Sequence, residues 1–195
     1  MPVSTFDIGR FLSRTCMPAR FRPVLPALAA IAVAASVAGC GDNQPKFAPA
    51  CPGLSLLRDA ADLTRFRPGG RDVTDMVLDA RITAVPATCS NGGPNKVKAT
   101  LNVTTEVARG PAARGRTADF TYFVAVTEGG RVLDEQDYPV RATFPANTER
   151  VVLTGDDIDL VLPVTREKSA AAYQIYVGFR LTPDELAYNR KRGPR

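Results

Sequence analysis

Val97, Ala99, Leu101, Val103, Thr105 and Val107 alternate with Lys98, Thr100, Asn102, Thr104, Glu106 and Ala108 without a break. A helix would scatter these side chains around its axis, whereas a strand sends successive side chains to opposite faces. The segment therefore predicts a half-buried strand with one wet face. Upstream, Met76, Leu78, Ala80, Ile82 and Ala84 alternate with Val77, Asp79, Arg81, Thr83 and Val85 in the same way. Residues 90–95 (SNGGPN) supply a hairpin-type loop between the two.

Further strands follow. Residues 120–127 (FTYFVAVT) are apolar on both faces and predict a central strand, which Gly129 and Gly130 turn toward residues 131–133. Tyr138, Val140, Ala142 and Phe144 line the next face, then come short runs at 150–153 and 158–164. Tyr173, Ile175, Val177, Phe179 and Leu181 share one face of the last run. Seven or eight closely spaced strands predict an all-β fold, an antiparallel β-sandwich of immunoglobulin or fibronectin III type, over residues 51–182. Leu54 and Leu57 mark a first strand, expected to lead into a helical turn near residues 59–66. Thr182, Pro183 and Glu185 have capping-box spacing, so a short helix and basic tail are expected over 183–195. Arg190, Lys191 and Arg192 then form a solvated helix end, or else touch anionic lipid.

The N-terminus carries a different signal. Arg20 and Arg22 precede a mostly apolar stretch, residues 24–37, too short to cross a hydrocarbon core about 30 Å thick. Val37, Ala38, Gly39 and Cys40 then resemble the lipobox of bacterial lipoproteins. That resemblance implies a signal peptide over residues 1–39 and acylation of Cys40, whose thiol forms the thioether. Met17 offers a second start, which would leave Cys16 outside the protein. Two or three chains on Cys40 would anchor the protein durably in the bilayer, at about 0.8 kcal/mol per buried methylene. Residues 40–50 form a polar tether with two prolines. Gly41 is not the aspartate associated with inner-membrane retention, so the outer membrane is the expected address; Asp42 keeps the inner membrane open.

Export leaves Cys51 and Cys89, an even pair in an oxidising compartment, and predicts a disulfide between them. Export also relocates the charge. The formal net of +5 includes Arg10, Arg14, Arg20 and Arg22 before Cys40, and the last six residues add four more cations. Residues 40–189 hold 17 basic against 19 acidic side chains, which excludes a nucleic-acid footprint.

Chemistry is narrowed in the same way. The chain has no histidine, which removes serine and cysteine triads, histidine metal sites and the usual general base. Ser55, Ser90 and Ser169 begin no S-x-x-K pair, and no glycine-rich phosphate loop occurs. Two cysteines make no zinc site, so no cofactor is expected. Carboxylates remain: Asp134, Glu135 and Asp137 near a hairpin, and Asp156, Asp157 and Asp159 after Gly155. They predict turns, or alternatively a carboxylate-dependent enzyme acting on cell-wall polysaccharide.

The segments CPGLSLLRDAADLTRFRPGGRD, YFVAV and VGFRLTPDELAYN resemble an uncharacterised family of small bacterial lipoproteins, Gram-negative and alphaproteobacterial in type. The resemblance implies an envelope address and brings no known activity. The expected function is a non-catalytic binding or structural module, anchored in the membrane, facing the periplasm and partnered by another envelope protein.

Overall fold

A computed structural model describes residues 50–193 and 195. Cys40 and the expected signal peptide lie outside the described residues. Eleven strands occur among them, in chain order β1 (Gly53–Leu56), β2 (Asp62–Phe66), β3 (Met76–Ala84), β4 (Ala87–Asn91), β5 (Lys96–Leu101) and β6 (Thr104–Arg109). Then come β7 (Thr117–Glu128), β8 (Arg131–Thr143), β9 (Arg150–Thr154), β10 (Ile158–Pro163) and β11 (Tyr173–Phe179), followed by the helix α1 (Pro183–Arg192). The protein is an all-β sandwich.

One layer has the order β1-β11-β7-β8. The apolar β7 lies inside it, paired antiparallel with both β8 and β11, as its two apolar faces require. The facing layer is made of two further sheets that meet at a bend. Its upper part is β2-β3-β6-β9 and its lower part β10-β5-β4, so β3 continues into β4, β5 into β6 and β9 into β10. The long alternating segment is thus divided at Asn102 and Val103, although its buried face runs through the break: Val97, Ala99, Leu101, Val103, Thr105 and Val107 are all buried. The bend has local causes. Pro86 has no N–H to donate to a ladder, and its carbonyl accepts the Asn102 N–H at 3.3 Å. Gly155 donates to the Val103 carbonyl at 2.9 Å, where a Cβ would stand 2.9 Å from the Tyr122 hydroxyl.

The eleven strands exceed seven or eight because the expected strand over 97–108 divides into β5 and β6, and because residues 62–66 and 87–91 add β2 and β4. The expected helical turn near 59–66 is confined to a single 3-10 turn at Arg58–Ala60, and β2 follows it. Leu63 is wholly buried there, giving β2 an apolar anchor that a surface turn lacks.

Leu63, Leu78, Ala80 and Val107 from one layer meet Val124, Val126, Ile175, Val177 and Phe179 from the other. The Phe120 and Phe179 rings pack edge to face at 5.6 Å, a geometry favoured by ring quadrupoles. Among the described residues, every side chain of this core lies between Leu54 and Leu181.

Cys51 and Cys89 are disulfide-bonded. Their geometry is not that of adjacent strands in one sheet: β1 pairs in parallel with β11, and Cys89 lies in β4 of the opposite layer. The bond therefore joins the layers where the chain enters the sandwich.

At the other terminus Thr182 caps α1, accepting from the Glu185 N–H at 3.2 Å while the Glu185 carboxylate accepts from the Thr182 N–H at 2.8 Å. The basic tail is not a solvated helix end. Arg190 pairs with Asp59 at 3.0 Å, Arg192 with Asp62 at 3.1 Å, and Arg195 with both Asp62 and Asp79 at 3.1 and 2.8 Å. Asn189 donates to the carbonyls of Asp59 and Asp62 at 2.8 and 2.7 Å. The 3-10 turn and the start of β2 thus offer two carbonyls and a buried carboxylate, which Asn189 and Arg192 of α1 bind.

Candidate functional site

The sequence FRPGGRD crosses from β2 to β3 by a turn that its own side chains build. Gly69 takes φ +78°, a left-handed conformation open to glycine. The buried Asp75 carboxylate accepts the backbone N–H groups of Arg71 and Asp72 at 3.2 and 3.3 Å and pairs with Arg67. A Cβ on Gly70 would overlap the Asp75 side chain, so the turn closes tightly around that acid. Arg71 is thereby carried outward, its side chain largely exposed.

Helix α1 forms the opposite wall. Phe66, at the end of β2, meets Tyr188 edge to face with centroids 5.0 Å apart. Two adjoining cavities, of about 280 and 500 Å³, share Arg71, Asp184 and Tyr188 and make one open groove. Its cations are not equivalent. Arg65 pairs with Glu185 at 2.9 Å, Arg67 with Asp75, and Arg192 with Asp62, the last also lying over the Tyr188 ring. Arg71 reaches only Asp184, at 3.8 Å, and both side chains are largely exposed. Lys191 makes no ion pair with a described residue. The groove thus offers one unpaired cation, Lys191, and one held only loosely by an exposed acid, Arg71, beside an aromatic wall, suited to a carboxylate or another anionic group.

The expected acidic residues are arranged otherwise. Asp134, Glu135 and Asp137 lie within β8 rather than at its hairpin, because the strand runs unbroken to Thr143. Arg180 bridges Glu135 and Asp137 while its guanidinium lies 4.5 Å from the centroid of Phe123. Asp156 and Asp157 occupy the bend between β9 and β10, and Asp157 accepts from Asn102 at 3.0 Å. Asp159, in β10, is held by Lys98 at 2.8 Å and Thr100 at 2.7 Å, and these hydrogen bonds keep its carboxyl below the usual range. Between the two acidic groups Tyr122 and Tyr138 stack at 5.2 Å; burial raises both phenols, helped by the charges of Asp156 and Asp134 respectively. No group of three or more metal-ligating side chains occurs among the described residues.

The groove was missed in the sequence because its walls are more than a hundred residues apart, as Arg65 and Glu185 illustrate. Two signals were present: three arginines around a Gly-Gly turn, and a capping box that sets the start of α1. Neither says that the two meet. No family model, curated protein or solved structure matches this chain.

Proposed function

We propose that this protein is a lipid-anchored module of the cell envelope, held at Cys40, facing the periplasm, and binding another envelope protein without catalysing a reaction. The outer membrane is the favoured address on the identity of Gly41. Supporting the anchor are the residues Val37, Ala38, Gly39 and Cys40 after an apolar run. The observation that carries the binding reading is the preformed groove, in which Lys191 is unpaired among the described residues and Arg71 is held only by the exposed Asp184, both beside Tyr188. Acidic side chains of a partner fit that arrangement. A tether restricts the search to neighbours in the same layer, so modest affinity suffices.

Mass analysis of the Cys40 peptide and membrane fractionation test the anchor. Acyl mass on Cys40 and release of the Cys40→Ala variant are expected; an unmodified cysteine would overturn it. For binding, the double variant Arg71→Glu, Lys191→Glu should fold normally, since both side chains are exposed, yet lose its in-cell crosslinked partner. Retention of the same partner would overturn the assignment of the groove.

A further inference from the structure

We propose that the end of the sandwich where the tether enters is a docking face for an anionic phospholipid surface, holding the domain with its α1 groove turned away from the membrane. This rests on the reading of Cys40 as the anchor. The chain enters the described domain at Ala50, and Cys51 is fixed to β4 by its disulfide. The same end gathers three loops. Val164 donates to the Asn95 carbonyl at 2.9 Å, tying the β10–β11 loop to the β4–β5 hairpin. Lys168 pairs with Glu128 at 3.2 Å, tying that loop to the β7–β8 turn. Tyr173 closes the assembly by donating to the Pro163 carbonyl at 2.7 Å.

Each loop presents one exposed cation without an ion-pair partner among the described residues: Lys96 on the hairpin, Arg131 beside the turn and Arg166 on the β10–β11 loop. Glu128 is engaged by Lys168, and Glu167, which accepts from the Thr165 hydroxyl at 2.9 Å, keeps its charge beside Arg166. Three cations spread over three loops suit an extended anionic sheet better than one buried anion. The α1 groove lies at the far end, because β3 and β4 carry the chain from the Asp75 turn to the β4–β5 hairpin, at roughly 3.3 Å per residue. Each cation near such a surface raises occupancy roughly fivefold and Glu167 opposes one of them, so the net of two gives a preference on the order of thirtyfold. Salt near 1 M shortens the screening length to about 3 Å and should remove it.

The test supplies the anchor chemically. Residues 40–195, which contain the sandwich and all of the core among the described residues, are coupled through the Cys40 thiol to maleimide lipid in vesicles, so the outcome does not depend on acylation in cells. The chain has no tryptophan, which permits single reporters at exposed valines: Val132→Trp near the tether and Val73→Trp at the groove end. Brominated acyl chains should quench Val132→Trp several-fold more than Val73→Trp in phosphatidylglycerol vesicles. The difference should vanish in phosphatidylcholine alone, at high salt, and in the variant Lys96→Glu, Arg131→Glu, Arg166→Glu. Equal quenching at both reporters, or a difference that survives charge reversal, would overturn the proposal. A positive result with an unacylated Cys40 in cells would leave the face standing and remove the anchor.

Discussion

Cys51 and Cys89 have Cα atoms 5.9 Å apart across the two layers of the sandwich, one on the segment leading into β1 and the other within β4. Strand β1 is short, and it pairs on one side only, with β11. The bond therefore holds an edge strand whose own ladder is brief, at the point where any pull from the N-terminal side enters the domain.

Removing that bond should loosen the N-terminal edge before the core. A bridge across 38 residues restricts the unfolded chain by about 4 kcal/mol on the loop-entropy estimate. The double variant Cys51→Ser, Cys89→Ser should lower stability by about 2–4 kcal/mol in urea denaturation. A loss below 1 kcal/mol would show that β1 is held by its ladder alone.

Asp62 organises the C-terminal latch. Burial opposes its ionisation, but the Arg81 hydrogen bond and the charge of Arg195 outweigh that and hold its carboxyl below the ordinary value of 3.8. A carboxyl depressed in the folded state contributes stability above its unfolded pKa and loses it as pH falls through the folded value. The thermal midpoint should thus fall with acidification below about pH 4, and Asp62→Asn should flatten that part of the profile. At neutral pH the substitution leaves Arg81, Arg192 and Arg195 without their shared carboxylate. The cost should approach the lower end of the roughly 3–5 kcal/mol typical of a broken buried pair, since the arginines are partly exposed. A midpoint within 1 °C of the wild type would refute the latch.

Gly110 follows β6 and lies against the start of β3. A Cβ there would overlap the Met76 carbonyl, whose oxygen accepts the Ala112 N–H at 2.9 Å, while Gly110 itself donates to the Val77 carbonyl at 3.0 Å. Gly110→Ala must displace backbone rather than a side chain, so a loss of about 1–3 kcal/mol is expected. Unchanged stability by chemical denaturation would mean that this crossing can open freely.

Single alanine substitutions at Asp134, Glu135, Asp137, Asp156, Asp157 and Asp159 should leave partner crosslinking within about twofold, as exposed positions outside the groove. Loss of cellular function at one of them, with the fold and crosslink intact, would favour a catalytic carboxylate.

The sequence by itself determined which faces are buried. Period-two alternation assigned Val97 through Val107 to the core side, and the two apolar faces of residues 120–127 placed β7 in a sheet interior, because strand geometry makes orientation a local property. It also determined the helix start at Thr182, where three spaced residues satisfy each other's backbone groups, and the pairing of Cys51 with Cys89, the two thiols that follow the expected cleavage site. Tertiary structure decided what lies beside what. The parallel pairing of β1 with β11, the bend at Pro86 and Gly155, the docking of Arg192 and Arg195 on Asp62, and the groove between Arg71 and Tyr188 all join segments distant in the chain. Such contacts depend on where separate strands and loops meet in space, and no local periodicity carries that information.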